Sequence, residues 1–375
     1  MIRVRDFSKP GVSDSQAVTA ALAQINEREN TLLFDGGDFM LDEAVVLPDD
    51  TTVIVDGCTI GQNDFVFDNH FRGANCVPNP ADPFNTPYSV VPTRGIRILG
   101  KNGATLRGPV KHRRMFHPFF KEEQEMVGDF WGWRSHVINL TQCRDFEIAG
   151  FKIRQQRNWA FCFDFCLNGF IHDIDFDSHV KNGDGIDFRW GCHHCKVKHI
   201  TGYTQDDTVA CTALDTSSGP GSKNLFPSEA SKHIFRCFDI RKRDIHDIEI
   251  EDLCVSGRYH AAICLAGSGV QVYNITIRNV KEGTQGPRRW PMIELYPSSH
   301  GNYGTGYRAG DIHDIRIENV SSVSAPGRGM EGNEVRFPVI SCLADMRNVV
   351  IRNVSQLGDG EVVTMQFPEG IHIEN

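Results

Sequence analysis

The sequence predicts an all-β fold, a right-handed parallel β-helix with a short N-terminal capping helix and long loops that form a cleft. Three features predict it: a repeated strand motif, uneven spacing between the repeats, and a column of regularly spaced cysteines. The 375 residues are expected to form one domain, with residues 1–30 as the cap and residues 31–375 as the coils. In such a solenoid each coil contacts only its neighbours, so a chain of this length needs no second core.

The repeated motif is a polar residue followed by an aliphatic-x-aliphatic strand. IHDIDF begins at Ile171, IHDIEI at Ile245 and IHDIRI at Ile312, and VYNITIRNV and MRNVVIRNV carry the same frame. Apolar and polar residues alternate within each run, which is typical of a half-buried strand. Coils of nearly constant length with variable loops explain the uneven spacing, whereas a β-sandwich explains it poorly.

Cysteines recur at the same place in successive repeats. Cys143, Cys166 and Cys192 are spaced by 23 and 26 residues, and similar strings follow each of them. We therefore expect them to stack on adjacent coils. In a chain this long the twelve cysteines are not needed as disulfide staples, so free, buried thiols are predicted.

The string CHHC at residues 192–195 resembles a metal site. Strand alternation would send Cys192 and His194 to one face and His193 and Cys195 to the other. Four adjacent residues then cannot surround one tetrahedral ion, and the spacing does not fit the usual zinc patterns. We therefore predict coil wall and no metal, while a site completed by another segment stays open.

The N-terminal segment has the pattern of a helix that covers the end of the solenoid. Ser13 can cap it, and four apolar residues then share one face: Val18, Ala21, Leu22 and Ile25. A cover is needed because open sheet edges invite aggregation.

Charge and hydropathy limit the partners. A formal net charge of -9 without basic runs argues against nucleic-acid binding. No apolar run approaches the roughly 18 residues of a membrane helix, so no membrane partner is expected. The start, MIRVRDFSKPG, lacks the apolar core of a signal peptide. We expect a cytoplasmic protein, or a secreted one if a leader was removed, and a homo-oligomer is compatible with these features.

Two acidic strings lie about one coil apart in the most regular part of the chain. They are NGDGID at 182–187 and QDD at 205–207, and 22 residues separate Asp184 from Asp206. Adjacent coils should therefore bring these two carboxylates together. Asp207 joins them only if the backbone bends, because consecutive strand residues point to opposite faces.

The glycines at positions 183 and 185 favour such a bend. Clustered carboxylates repel when ionised, which raises the pKa of at least one of them. One protonated acid beside one ionised base is what hydrolysis of a glycosidic bond requires. Turn residues and calcium ligands remain alternative interpretations of the same aspartates.

The stretch from Arg157 to Ala213 resembles the core of glycoside hydrolase family 28, the polygalacturonases. The matching motifs are Asn-Gly-Asp-Gly-Ile-Asp at 182–187 and Asp-Asp-Thr-Val-Ala at 206–210. The resemblance implies a β-helix and single-displacement hydrolysis with inversion. It makes Asp206 the general acid and lets Asp184 and Asp207 hold and deprotonate the attacking water.

The family's Gly-His-Gly motif, one coil on, has its best counterpart at His260 in GRYHAAICLAGSG, although the flanking glycines are not matched. A surface histidine on a coil turn is the other interpretation of His260. Asn182 and Gln205, within the acidic strings, are expected to contact substrate.

The family's carboxylate-binding Arg-Ile-Lys motif has no direct counterpart here. The corresponding segment reads RRWPMIELYP at 288–297. Glu294 and Tyr296 stand about where cations are expected, and Arg288 and Arg289 would have to reach in from the loop. Buried uronates need cationic partners, so the departure speaks against a strictly pectic substrate but not against hydrolysis. Trp290 is predicted to stack on a sugar ring, and all five residues are assigned to substrate binding.

These features predict an inverting, exo-acting glycoside hydrolase that needs no cofactor. Its expected substrate is an α-linked pectic-type or related oligosaccharide or polysaccharide. A polysaccharide lyase or epimerase on the same fold, and a non-catalytic carbohydrate-binding β-helix, are the alternatives.

Overall fold

The computed structural model has the predicted architecture, a right-handed parallel β-helix. The structure describes residues 1–75, 91–117, 121–128, 136–213, 243–267, 269–284, 290–297, 307–323, 327–328, 334–358 and 360–374. Within these residues, two long parallel sheets of 17 and 10 strands form the walls, and we call them the long sheet and the short sheet. Buried aliphatic and aromatic side chains of both sheets form one continuous core.

The long sheet contains the strands Ile2–Arg3, Thr31–Phe34, Phe39–Leu41, Thr52–Asp56, Thr59–Gln62, Thr93–Arg94, Arg97–Lys101, Thr105–Arg107, Cys143–Ala149, Lys152–Arg154, Leu167–Asp177, His193–Thr204, Ile245–Gly257, Val272–Glu282, Ile312–Ser322, Arg347–Gln356 and Ile371–Glu374. The short sheet contains Val45–Leu47, Phe71–Gly73, Ile138–Thr141, Phe161–Asp164, Ile186–Phe188, Val209–Thr212, Ala262–Ala266, Ile293–Pro297, Ile340–Cys342 and Val363–Met365. Two antiparallel hairpins pair Arg114–His117 with Glu122–Glu125 and Gly327–Arg328 with Glu334–Val335.

The capping helix spans Asp14–Leu22, after a 3-10 turn at Val4–Phe7. Ser13 accepts a hydrogen bond from the backbone N–H of Gln16, whose side chain accepts one from Ser13 in return, a capping box. The predicted apolar face packs on the core: Val18 and Ala21 are buried, and Leu22 and Ile25 are partly buried against it. One detail differs from the prediction: Ile2–Arg3 pairs with Thr31–Phe34, so the cap segment already adds a strand to the sheet.

The polar residue of the repeated motif is a corner at which the chain turns in the left-handed region of φ. These corner residues have φ between 49° and 59°. Asn and Asp tolerate this conformation best among residues with a side chain, which explains their recurrence. One set, which we call the corner column, occupies equivalent positions on successive coils: Asp145, Asn168, His194, Asp247, Asn274, Asp314 and Asn348. Strict alternation of side chains holds only between corners.

The predicted cysteine column is confirmed. Cys143, Cys166 and Cys192 are fully buried on adjacent coils. The predicted alternation through CHHC is wrong, because His194 is a corner with φ 55°. The turn points both cysteines inward and leaves His193 half-buried and His194 exposed.

The sequence also predicts long loops at 62–94, 110–133, 216–243 and 281–310, between the regular coils, and these lie partly outside the described residues. Where they are described they contain regular structure that the sequence did not indicate. The segment 62–94 adds Phe71–Gly73 to the short sheet, and 110–133 contains the first hairpin. No described helix is long and apolar enough to cross a membrane.

Candidate active site

The three predicted aspartates meet at one end of the short-sheet strands. Ile186 pairs with Val209, so Asp184 and Asp207 occupy the same place on adjacent coils, ahead of each strand. One carboxylate oxygen each of Asp184, Asp206 and Asp207 lie within 4.8 Å of one another. Because like charges this close cannot all ionise freely, the arrangement suits a group that shares protons.

The position that Asp184 and Asp207 share continues over several coils, and we call it the site column. The register of the short sheet places these residues in it: His136, Trp159, Asp184, Asp207, His260 and Pro291. Backbone hydrogen bonds link each coil to the next at this position. The N–H of Gly185, the residue after Asp184, donates to Asp207 O at 2.8 Å, and the N–H of Thr208, the residue after Asp207, donates to His260 O at 2.8 Å. The sequence spacing therefore brings three of the four predicted catalytic residues into one column.

Close packing, and not unusual φ, explains the glycines beside Asp184. A Cβ on Gly183 would lie 2.2 Å from Ser178 Oγ, and one on Gly185 would lie 2.5 Å from the backbone oxygen of Thr208. The left-handed residue here is Asn182, at φ 51°. The glycines were predicted to permit a bend, but the structure instead requires them because the coils lie in tight contact there.

A hydroxyl pair holds the turn that carries Asp206 and Asp207. Thr204 Oγ1 donates to the backbone oxygen of Asp206 at 2.9 Å and lies 2.8 Å from Thr208 Oγ1. Gln205, predicted to bind substrate, accepts a hydrogen bond from the Tyr203 hydroxyl at 3.2 Å. These contacts orient the two aspartates without using their carboxylates.

His260 is buried between two acids. Its backbone N–H donates to Asp207 Oδ1 at 3.2 Å, and its Nε2 lies 3.1 Å from Glu294 Oε2. Its Nδ1 lies 2.8 Å from the carbonyl oxygen of Pro291, which only accepts, so Nδ1 carries a proton. Both ring nitrogens thus face acceptors, an arrangement that favours the imidazolium cation.

The surroundings shift the pKa values of both His260 and Asp207. Burial lowers the pKa of His260, but the charges of Asp207 and Glu294 outweigh it and raise the pKa to about 9. Burial raises the pKa of Asp207, while the charge and backbone N–H of His260 oppose that rise and Glu294 adds to it. The site therefore holds a cation beside an acid whose proton affinity is increased.

Glu294 has a partner that the sequence did not predict. It was assigned to substrate binding, yet its buried carboxylate contacts His260. Tyr296 lies two residues on in the same strand, so it shares the face of Glu294. Burial and the charge of Glu294 raise the pKa of Tyr296 to about 12.

Aromatic rings stand beside the acids. Trp290 stacks on Tyr259 with ring centroids 5.8 Å apart and on Phe337 at 5.7 Å. Burial and the charge of Asp206 raise the pKa of Tyr259, which places this ring near the acid cluster. Phe337 was missed because it lies in no recognisable motif, and Tyr259 because only the adjacent His260 of its motif was assigned a role. Arg288 and Arg289 lie outside the described residues.

A third missed residue is Arg189, a fully buried cation. Its Nε lies 3.7 Å from Asp164, and its guanidinium lies over Trp159 at 5.2 Å, next to Asp184 in the site column. Among the described residues its nitrogens have no hydrogen-bond partner. The basic residue follows Ile186–Phe188 directly, which is the signal that could have found it.

Comparisons with solved structures agree with the fold. The family 28 exopolygalacturonase of Yersinia enterocolitica matches with a TM-score of 0.54 and 13% identity, over 100% of this chain and 77% of that chain. The polygalacturonase of Erwinia carotovora ssp. carotovora matches with 0.58 and 12%, over 97% and 94%. A tailspike mutant of E. coli bacteriophage HK620, in complex with a pentasaccharide, matches with 0.62 and 12%, over 98% and 60%.

No protein-family model and no curated protein sequence matches the chain. The protein has a polygalacturonase-like parallel β-helix fold. Identities this low show the fold alone, so the chemistry rests on the side chains.

Proposed function

We propose that the protein is a glycoside hydrolase that uses the acid cluster of Asp184, Asp206 and Asp207. The observation that carries the proposal is that these carboxylates from two adjacent coils lie within 4.8 Å of one another, beside the buried His260. Two solved structures with the same fold, a polygalacturonase and a tailspike protein in complex with a pentasaccharide, support a glycan as the ligand class. A glycan is therefore the substrate class that we assign.

Asp206 acts as the general acid in this proposal, and Asp184 and Asp207 hold the attacking water. Two oxygens within 4.8 Å can both accept from one water, because each hydrogen bond spans about 2.7–2.8 Å. His260 orients and charges the site, since it donates to Asp207 and stands as a cation against Glu294. The water oxygen bonds to the anomeric carbon as the glycosidic C–O bond breaks. Asp206 gives its proton to the leaving oxygen, and a carboxylate takes the proton of the water.

We propose an inverting, exo-acting reaction on a short α-linked oligosaccharide, pectic or related. The aromatic stack of Tyr259, Trp290 and Phe337 supports sugar binding, because aromatic faces pack on sugar rings. The cluster is tighter than the roughly 6.5–9.5 Å between carboxyls of most inverting enzymes and nearer the roughly 5 Å of retaining ones. The anomeric form of the first product therefore tests the stereochemistry separately from the hydrolysis.

The test is turnover of aryl glycosides and pectic oligosaccharides by the native protein, with Asp206→Asn as the matched control. We expect at least one substrate to be cleaved by the native protein only, to release monosaccharide first, and to give the inverted anomer by proton NMR. Equal cleavage by the Asp206→Asn protein would refute the proposal. Retention would refute the inverting step alone.

A lyase or epimerase is the second candidate, because three clustered carboxylates can also hold Ca²⁺, which prefers oxygen ligands. A lyase would give an unsaturated product that absorbs in the ultraviolet, and chelation would abolish its activity. Hydrolysis predicts neither effect, so absorbance with and without chelator separates the two candidates.

A further inference from the structure

The outer face of the long sheet carries a cluster of imidazoles around one carboxylate. His193 pairs with His246 and Cys195 with Ile248, so His194 and Asp247 are adjacent members of the corner column. The rings of His193 and His246 stack in parallel, 4.8 Å apart. The His194 side chain is 58% exposed and that of Asp247 30%, so an ion in solution can reach them.

The donor atoms of this cluster lie close to one another. The distance from Asp247 Oδ2 is 2.6 Å to His246 Nδ1 and 3.7 Å to His194 Nδ1. His193 Nδ1 lies 2.8 Å from His194 Nδ1. One donor atom each of His194, His246 and Asp247 lie within 4.8 Å of one another.

These separations bracket those of a tetrahedral ion. Ligands about 2.0–2.1 Å from a zinc ion stand about 3.3 Å from each other. The observed pairs at 2.6 and 3.7 Å lie on either side of that spacing, and the strands that carry them are already in register.

Neighbouring coils show what is special here. His313 makes the same 2.6 Å contact with Asp314, and Asn348 donates to Asp314 as Asn274 does to Asp247, but the corner on the preceding coil is Asn274 and not a histidine. A His-Asp pair alone is thus a hydrogen bond at a coil corner. Among the described coils, only the pair carrying His194 and Asp247 adds two further imidazoles.

The carboxylate is also held from the far side, since Asn274 Nδ2 donates to Asp247 Oδ1. Hydrogen bonds of this kind orient metal ligands and strengthen binding. Oδ2 remains directed at the histidines.

We propose that His194, His246 and Asp247, with His193 as the fourth ligand, form a binding site for a divalent transition ion such as Zn²⁺. Three imidazoles and one carboxylate suit zinc and its neighbours better than calcium or magnesium. The site lies on the long sheet, whereas the acid cluster borders the short sheet. The ion would clamp strands His193–Thr204 and Ile245–Gly257, which a segment of 40 residues separates in sequence, and would stabilise their pairing.

The test uses the full chain without a polyhistidine tag, first stripped with chelator and then titrated with ZnCl₂ by calorimetry. We expect one ion per chain and a zinc-dependent rise in Tm. His194→Asn, which keeps a residue suited to the corner, should weaken binding at least about tenfold. Cobalt(II) should give the intense visible bands of a tetrahedral site in the native protein and not in the variant.

Two controls define the site. His313→Asn removes the lone His-Asp pair and should leave zinc affinity unchanged, and Cys192→Ser should do the same because that thiol points inward. Absence of stoichiometric binding would overturn the proposal, as would affinity that survives His194→Asn or depends on Cys192. No outcome depends on turnover, so failure here leaves the hydrolase proposal standing.

Discussion

The corner column and the site column both place polar residues at one equivalent position of successive coils, but they differ in how much the residues vary. The corner column is nearly uniform, and the amides of Asn274 and Asn348 donate to the aspartate of the coil beside them. The site column is mixed, with Trp159, then the two aspartates Asp184 and Asp207, then His260 on successive coils. Uniformity gives ladders of hydrogen bonds, whereas variation gives a cluster of unlike chemical groups.

The difference also shows in charge. Asp247 at a corner is partly exposed, and although partial burial raises its pKa, its His246 and Asn274 partners lower it overall. Asp207 in the site column is deeply enclosed, and burial raises its pKa. The same residue type is therefore a stable anion at a corner and a proton acceptor in the site.

The sharpest test of this comparison removes one acid from the cluster beside the site column and one from the corner column. Asp206→Asn should lower turnover by about 10²–10⁴-fold because a general acid is lost, while Tm stays unchanged. Asp314→Asn, its matched control in the corner column, should keep full turnover. Turnover of the best substrate and thermal unfolding are measured for both variants. A loss of turnover in the Asp314→Asn protein would contradict the proposed difference between the two columns.

The packing of the site column predicts a large stability effect. Gly185→Ala places a methyl group 2.5 Å from Thr208 O, so we expect a loss of about 1–3 kcal/mol in the free energy of unfolding. Gly103, where a Cβ meets nothing within 4 Å, has φ 83° and tests backbone conformation instead. Urea unfolding of the Gly185→Ala and Gly103→Ala proteins separates the cost of steric overlap from the cost of positive φ. An unchanged stability of the Gly185→Ala protein would contradict the close contact.

The charge of His260 predicts a pH dependence. Its pKa is raised to about 9 in the folded protein, so the stabilisation is fully present below the unfolded value near 6.5 and is lost as pH rises through 9. Glu294→Gln should lower that pKa and move the loss to lower pH. NMR titration of the imidazole measures the pKa of His260, and unfolding at pH 6 to 10 measures the change in stability. An unchanged His260 titration in the Glu294→Gln protein would show that Glu294 does not stabilise the imidazolium.

The smallest expected effect lies in the corner column. Asn274→Ala loses the hydrogen bond to Asp247 and a residue suited to φ 53°, which should cost about 1–2 kcal/mol. Asn274→Gly keeps the conformational freedom and should recover part of the loss. Equal stability of all three proteins in urea would show that the ladder contributes nothing.

The repeat made the fold predictable, because identical frames must lie in register once they stack. The meeting of Asp184 with the aspartate pair was predictable for the same reason, since about one coil separates them, but the spacing predicts Asp206 level with Asp184, whereas the register places Asp207 there. Glu294 and Tyr259 were not predictable, because their roles depend on which neighbour a strand meets after a long interruption. The turn at His194 was missed because alternation was extended through a residue type that seldom adopts positive φ.

The buried thiols can report where this protein unfolds locally, because a thiol reagent reaches them only after the surrounding coil opens. Of the described cysteines, only Cys254 is exposed, and burial raises the pKa of others such as Cys143 and Cys342 to about 12. An alkylating reagent should therefore modify Cys254 at once and each interior cysteine only when its own coil comes apart. Mass spectrometry of the modified peptides over time would read out, coil by coil, where the solenoid begins to unravel.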